Sequence, residues 1–237
     1  MTEYERVTGL PNQETIDFWV KAKINSVYDA LEGRELLDVG AGMCRYKNFI
    51  VEKGFSYTSH DFNQYTPGEC NLGFQDRLWS KLNHQFVCDV LEIPEEKKFD
   101  LVLCTEVLEH VPDPVATFQK LIRLVKHNGH IVITVPFMSL AHQTPYWFSS
   151  GLSPFWFEYW SKKLNLLTVE IKLSGDFLDV YNQFTGLLQN HKPEDFNAHN
   201  LPKIIQVKSL KQYRNEFPNE LISSGAFGVF VHLQKTT

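Results

Sequence analysis

Cysteine is scarce in this 237-residue chain: Cys44, Cys70, Cys88 and Cys104 are all it has, and no two form a Cys-x-x-Cys pair. That excludes a disulfide framework and a cysteine-built zinc site, and it suits a reducing cytosol. Long apolar runs are missing as well. No stretch approaches the roughly 18 residues of a membrane span, and residues 1–6 lack the apolar core of a signal peptide. The expected compartment is the cytoplasm. Positive charge is in deficit, with 23 Lys plus Arg against 28 Asp plus Glu for a net −5. A nucleic-acid partner held by bulk charge is therefore disfavoured. The chain also lacks repeats and low-complexity tracts. Its 43% hydrophobic and 22% charged residues are the composition of a soluble globular protein, not of a disordered or fibrous one.

What is present is an alternation of helical and strand patterns. Ile16, Val20, Ile24, Val27 and Leu31 recur at helical spacing up to Gly33, which makes residues 1–34 an N-terminal helical segment. Residues 35–39 read as a buried strand, 46–53 as a helix ending at Gly54, and 57–59 as a strand closed by His60-Asp61. A Gly-, Pro- and Asn-rich loop over 63–73 leads to a strand over 85–88 closed by Asp89. Residues 99–104 are a continuous apolar run of the kind a parallel sheet buries on both faces. Then 115–125 are helical, Asn128-Gly129 turns the chain, and 131–135 form a strand closed by Pro136. A helix over 154–164 and strands over 167–173 and 228–233 complete the pattern. The expected fold is α/β: a single domain over 1–237, built on a doubly wound, mostly parallel, seven-stranded Rossmann-like sheet with its last strand antiparallel. The long connection 175–219, with helical patterns at 177–188 and 202–217, is expected to be a helical insertion near the acceptor site, with a homodimer contact as its competing reading.

The informative unit is Asp38-Val39-Gly40-Ala41-Gly42, at the end of the first of these strands. In an open α/β sheet, ligands bind beyond the carboxyl ends of the strands, at a switch point that the first strand borders. Two glycines let the backbone approach a ligand, while Arg45 stands where a dinucleotide fingerprint requires its third glycine. An NAD-dependent enzyme is thereby disfavoured. S-adenosyl-L-methionine (SAM) brings no pyrophosphate to the helix and can dispense with that glycine. Asp38 can face the positive amino-acid end of SAM. Asp61, roughly 20 residues on, ends the second strand, where a carboxylate accepts ribose hydroxyls. Asp89 ends the third strand, placed for the adenine amino group, and Phe62 is placed against the adenine ring. Singly, each feature reads as a tight turn or a strand-end cap. Three acidic strand ends in order, with Gly-x-Gly at the first, do not.

LLDVGAG, HDF, VCDV and FDLVLCTEVLEHVPDP, spread over residues 35–136, resemble the motif series of class I SAM-dependent methyltransferases, above all those like the ubiquinone-biosynthesis enzymes. The resemblance implies that Asp38, Gly40, Ala41 and Gly42 hold the methionine moiety. It implies further that Asp61 and Phe62 hold the ribose and adenine, that Asp89 and Val90 meet the adenine edge, and that Thr105 and Glu106 close the pocket beside the sulfonium. The residues after Pro136, which choose the acceptor, lie outside it.

Two further absences narrow the acceptor. No Asn/Asp-Pro-Pro-Tyr/Phe motif follows the fourth strand, and no cysteine follows a proline, so neither amino methylation of adenine or glutamine nor cytosine C5 methylation fits. Oxygen methylation of a small molecule or glycan precursor is favoured. The run from His142 to Phe148 is similar to methyltransferases of surface-polysaccharide pathways. Glu106-Val107-Leu108-Glu109-His110 sets two carboxylates and an imidazole at i, i+3 and i+4, one face of a helical turn. Glu106 and His110, with His142 after the fifth strand, are the candidate catalytic residues, His142 as a general base.

Glu106, Glu109, His110 and His142 together resemble the metal-binding set of ubiquinone O-methyltransferases and of small-RNA 2′-O-methyltransferases. A divalent metal that lowers the pKa of an acceptor hydroxyl is therefore an alternative. Bland readings stand beside these: Glu109 as a helix N-terminal charge, His142 as the cap of a turn. The rival enzyme is a metal-dependent RNA ribose 2′-O-methyltransferase, against the net −5. The rival outside enzymes is a non-catalytic methyltransferase-like binding or activating subunit, against an intact cofactor motif. His60 reads as structural, and His84, His127, His130, His191, His199 and His232 as surface or turn residues. Of the eight aromatics in 146–160, about half are expected to pack on the sheet and the rest to line an acceptor cleft. Lys203, Lys208, Lys211 and Arg214 read as a solvated helix face.

Overall fold

The apolar runs pair into one sheet. The computed structural model describes residues 4–7, 13–65, 82–181 and 226–236. Its strands are β1 (Arg6–Val7), β2 (Glu35–Val39), β3 (Ser56–Asp61), β4 (Phe86–Val87), β5 (Phe99–Thr105), β6 (Val125–Pro136), β7 (Leu166–Ser174) and β8 (Gly228–Lys235). Between them run helices α1 (Gln13–Tyr28), α2 (Lys47–Glu52), α3 (Pro114–Leu124) and α4 (Pro154–Lys163). The strand order is β1-β7-β8-β6-β5-β2-β3-β4, and β8 runs antiparallel to both its neighbours while the other pairings are parallel. The seven expected strands are all present, with the last antiparallel as expected. An eighth, Arg6–Val7 against Leu173 and Ser174, has no sequence signal because two residues carry no period.

The two cores explain why the strands read as continuous apolar runs. Leu37, Val39, Val102, Cys104, Ile131 and Ile133 serve one core, with Phe118 and Leu121 of α3 and Phe157 of α4. Their chain neighbours Leu36, Leu101, Leu103 and Val132 serve the other, with Trp19, Val20 and Ile24 of α1 and Ile50 of α2. Alternate residues of each strand are thus covered on opposite faces. Helix starts are fixed by capping. Asp113 Oδ1 accepts from Ala116 N at 2.9 Å and Ser153 Oγ from Trp156 N at 3.3 Å. Each is followed by a proline, whose missing N–H would have no helical partner anyway.

Topology places the ligand edge. β2 pairs in parallel with β3 on one side and β5 on the other, so the chain winds outward from β2 in one direction and returns through β5 in the other. A crevice opens beyond the strand ends at such a reversal.

Three differences from the sequence reading are local. β6 begins at Val125, directly off α3, and Asn128-Gly129 turns the chain as a bulge inside the strand. The pairing slips between Phe99 and Leu101 of β5, with Asn128 at φ 60. His130 and His232 are not surface residues. They are 7% and 3% exposed and meet at 2.9 Å, Nδ1 to Nε2, across the β6–β8 pair. Both strands are interior to the sheet, and a neutral imidazole carries one donor and one acceptor, so two can satisfy each other away from water. Last, residues 177–181 open a helix after Gly175. Residues 182–225 lie outside the described residues, and with them fall most of the 177–188 helix, the 202–217 helix with Lys203, Lys208, Lys211 and Arg214, and His191 and His199. Most of the 63–73 loop, including Cys70, lies outside them too. No helix among the described residues is long and apolar enough to cross a membrane.

Candidate active site

The crevice at the switch point is a cleft of about 440 Å³. Its walls include Asp38, Gly40, Ala41 and Gly42 from β2 and the turn after it, with Asp61 and Phe62 from the end of β3. Asp89 and Val90 follow from the segment after β4, and Thr105 and Glu106 from the end of β5. The structure therefore brings together all ten residues named from the sequence for the cofactor. Of the acceptor-side candidates, His110 lines the cleft, and Glu109 and His142 adjoin His110 without lining it.

Backbone conformation makes the turn tight. Gly40 sits at φ +64 and Gly42 at φ +51, and a Cβ on Gly40 would overlap Val107 Cγ2. Ala41 N donates to His60 O at 2.8 Å, and Gly42 N to Asp61 Oδ2 at 3.0 Å. Asp61 Oδ1 accepts from Asn63 N at 2.8 Å. One carboxylate thus braces the glycine turn and its own loop, and each oxygen retains a lone pair for a ligand hydroxyl. His60 is buried and its Nε2 lies 3.0 Å from Cys88 O, tying the end of β3 to β4. Asp89 accepts from Leu91 N at 2.8 Å and caps the 3₁₀ turn Val90–Glu92.

Asp38 tests the site for a cationic ligand. It is 1% exposed, its Oδ2 accepts from the Tyr57 hydroxyl at 2.8 Å, and its buried Oδ1 has no partner among the described residues. Burial pushes its pKa up to about 7 against the Tyr57 bond, and the Asp61 charge adds to the rise. A buried carboxylate with an unmatched oxygen is costly alone and is relieved by a cation. The ammonium of an amino acid is such a group, so the residues present fit the methionine end of SAM. Tyr57 has no motif to announce it. Its signal is register: it lies two residues before Ser59, the β3 partner of Asp38, and so on the same face.

The expected helical face over Glu106 to His110 forms only in part. Glu106 is in the left-handed region at φ 55, and a 3₁₀ turn spans Leu108–His110. A left-handed residue re-aims the chain, so i and i+3 no longer stack. Glu109, His110 and His142 each bring a ligand atom within 4.8 Å of the others, and Glu106 is not in that group. Burial pushes the Glu106 carboxyl up to about 7, with Thr134 beside it pulling the other way. His110 Nδ1 lies 2.6 Å from Tyr146 O and His142 Nδ1 2.8 Å from Leu140 O. A carbonyl only accepts, so each Nδ1 carries a proton, and in the neutral tautomer the lone pair is on Nε2. The two rings stand edge to face, 4.7 Å between centroids.

Glu109 is fully buried, its carboxylate is matched by no donor from another of the described residues, and its Oε1 lies 3.6 Å from His110 Nε2. Burial, then the Glu106 charge, raises the Glu109 pKa well above the carboxylate range, and burial lowers that of His110 to about 4. At neutral pH the His110 imidazole is uncharged. The chemistry of this donor set suits either a proton or a divalent cation.

The segment after β6 is pinned to this group. Phe148 N and Ser149 N both donate to Glu109 O, at 2.9 and 3.2 Å. Tyr146 packs edge-on to Phe62 at 4.8 Å, and Gln143, Tyr146 and Phe148 line the cleft. Trp156 and Phe157 pack on Phe118, whereas Phe155 and Tyr159 stay exposed. The aromatic run therefore splits between packing and cleft. Val107 and Gln143 line the cleft without any pattern in the sequence to mark them.

Sheet order, switch-point cleft and glycine turn together are those of a class I SAM-dependent methyltransferase domain. The family described as a methyltransferase domain matches residues 20–179, and the chain belongs to it. It is similar to the ubiquinone biosynthesis O-methyltransferase of Alkalilimnicola ehrlichii, 33% identical over 104 residues that make up 44% of this chain and 42% of that protein. The chain is thus matched over less than half the length of such curated relatives. Among solved structures, a SAM-dependent methyltransferase from Archaeoglobus fulgidus superposes with a TM-score of 0.53 at 18% identity, covering 92% of this chain and 94% of that one. The cyclase SpnF superposes with a TM-score of 0.54 at 13% identity, covering 99% and 87%. At these identities the superpositions establish the fold, and a cyclase among them is a reminder that function lives in the site.

Proposed function

We propose that this chain transfers the methyl group of SAM to an oxygen of a small molecule or glycan precursor. The observation that carries the reading is Asp38, a buried carboxylate with an unmatched oxygen in a cleft walled by the glycine turn and two further strand-end acids. Asp38 would hold the ammonium, Asp61 the ribose hydroxyls, and Asp89, Val90 and Phe62 the adenine. Bound there, SAM supplies an electrophilic methyl group on a sulfonium. The chain's own part is to hold the acceptor in line and to take its proton. His110 suits the second task, because it lines the cleft uncharged with the Nε2 lone pair available. The Glu109 carboxyl lies 3.6 Å away, where an imidazolium would favour its ionised form, and His142 backs the ring. Preference for oxygen draws on the similarity to O-methyltransferases of ubiquinone biosynthesis.

One observation favours a second reading of the same group. Glu109, His110 and His142 converge, and both imidazoles are oriented by backbone carbonyls, as metal-bound histidines are. These three would hold a divalent ion that lowers the hydroxyl's pKa. A net −5 still weighs against an RNA acceptor.

Calorimetry tests the cofactor. S-adenosylhomocysteine (SAH) should bind and NAD should not, and Asp61→Ala should weaken SAH by about 1.5–3 kcal/mol, the loss of a hydrogen bond to a charged group. A folded protein that takes neither SAH nor SAM defeats the reading. A mass-spectrometric screen of hydroxylated small molecules and glycan precursors with methyl-labelled SAM would then identify the acceptor. Turnover that survives exhaustive EDTA leaves His110 as proton acceptor; turnover lost to EDTA and restored by one divalent ion selects the metal.

A further inference from the structure

We infer that Tyr146 is a positioning residue for His110. Its backbone carbonyl fixes the ring's proton on Nδ1, and its side chain, braced on Phe62, ties that carbonyl to the cofactor side of the cleft. This rests on the reading of His110 as proton acceptor above and names what makes it one. His110 can take a proton only at a ring nitrogen that has a lone pair. In water a neutral histidine favours the tautomer with its proton on Nε2, and the partner of Nδ1 decides whether that preference is reversed. Here the partner is Tyr146 O, 2.6 Å from Nδ1 and 36 residues along the chain. The place of that carbonyl therefore decides whether Nε2 carries a lone pair or a hydrogen.

Two sets of contacts hold that carbonyl. Phe148 N and Ser149 N donate to Glu109 O at 2.9 and 3.2 Å, which pins the backbone beside His110. Tyr146 itself ends a turn that starts at Gln143, at φ 49, and its N donates to Gln143 O at 3.1 Å. Its ring then meets Phe62 edge to face, 4.8 Å between centroids and 86° between planes. The loop does not need that ring for its own closure. Ser139 N donates to Ser150 O at 2.7 Å and Trp147 Nε1 to Ser139 Oγ at 3.3 Å, so its base is tied without Tyr146. What the ring reaches is the opposite wall. Phe62 follows Asp61, the carboxylate that braces the glycine turn and would hold the ribose. An edge-to-face pair is a modest contact. A cofactor seated against Phe62 can therefore shift it and, through Tyr146, the bond to His110. His142 is oriented differently: its Nδ1 lies 2.8 Å from Leu140 O, two residues away in the same loop.

NMR of isotope-labelled histidine reads the tautomer directly, because a ring nitrogen with a proton and one with a lone pair resonate far apart. The full chain is measured at neutral pH in EDTA, which keeps a metal from fixing the proton. His110→Gln and His142→Gln assign the two rings. In the ligand-free parent, His110 should carry its proton on Nδ1. Tyr146→Leu should mix the tautomers, moving the Nε2 signal toward the protonated position, while His142 keeps its pattern. Tyr146→Phe keeps the ring and should match the parent. Added SAH should shift His110 in the parent and in Tyr146→Phe, and shift it less in Tyr146→Leu. Melting temperatures control for folding, and Phe62→Leu removes the same contact from the opposite wall if Tyr146→Leu does not fold. A proton on Nε2 of His110 in the parent overturns the inference. So does an unchanged His110 in Tyr146→Leu, or an equal change at both histidines, which would mark collapse of the loop. A folded parent that binds no SAH defeats the SAM reading, whereas the ligand-free comparison still decides the part of Tyr146, so the two failures are told apart.

Discussion

Two clusters of buried ionisable groups lie in the same sheet and are solved in opposite ways. At the end of β2, Asp38 has one oxygen bonded to Tyr57 and the other unmatched among the described residues. At the β6–β8 seam, His130 and His232 satisfy each other, while Lys23 pairs with Glu170 and Lys172 bridges Glu170 and Glu5 at 2.7 and 3.2 Å. Burial pushes the Asp38 carboxyl up to about 7. It pushes His232 down to about 4, with His130 and Lys23 adding to the fall and Glu170 opposing it. Burial and a shifted pKa are thus common to both clusters and do not by themselves mark a site. An unmatched atom facing a cleft does, because something outside the chain must complete it.

The contrast breaks hardest at the turn that holds Asp38 in place. Gly40→Ala should abolish SAH binding and destabilise the fold by about 2–5 kcal/mol in urea unfolding. A left-handed backbone costs a residue with a Cβ roughly 1–2 kcal/mol, and the overlap with Val107 Cγ2 adds roughly 1–3 kcal/mol. Adding Val107→Ala removes the overlap and not the backbone strain, so it should recover only part of the stability. Parental SAH affinity in Gly40→Ala would mean that the unmatched oxygen does not depend on the turn, and the cleft would need another account.

How legible each region is in the sequence follows from the same physics. Asp38, Gly40, Gly42, Asp61 and Asp89 were readable because strand ends and tight turns leave fixed marks: an apolar run that stops, a residue free to take positive φ, an acid at the stop. The sheet was readable for the same reason, since double coverage writes a strand as a continuous apolar run. The His130–His232 pair was not, because its members stand 102 residues apart and meet only through the β6–β8 register. The Glu109, His110 and His142 group was half readable. Its residue types stood out, but the left-handed backbone at Glu106 that removes this residue from the group depends on tertiary packing. Gln143 and Val107 line the cleft through loop paths that no period encodes.

Asp38→Asn sharpens the contrast from the cleft side. A carboxyl whose folded pKa is raised from 3.8 to about 7 lends stability that is full below the unfolded value and is lost as pH rises through 7. The ligand-free protein should therefore be less stable at pH 8 than at pH 5, and SAH should offset the loss by bringing a cation to Asp38. Glu106 and Glu109 push in the same direction, so the measure is the difference between parent and variant. Asp38→Asn should raise the ligand-free stability at pH 8 by about 2–4 kcal/mol and weaken SAH at the same time. A variant less stable than the parent at pH 8, with the fold intact by circular dichroism, would show that Asp38 is already matched within the chain.

The seam should answer with the opposite sign. A histidine whose pKa is lowered from 6.5 to about 4 contributes stability that is full above 6.5 and is lost as pH falls toward 4, because the unfolded chain takes up the proton first. At pH 5 the loss from His232 should be about 2 kcal/mol. His232→Gln offers His130 an amide that bonds and does not titrate, so its stability should fall less between pH 6.5 and 5 than the parent's. Lys23 and Glu170 face the same imidazole and remain in both proteins, so the difference isolates the ring. That difference should be the same with and without SAH, because the seam is complete inside the chain. If SAH changes it, the seam and the cleft are coupled through the sheet, and the division between a satisfied cluster and an open one does not hold.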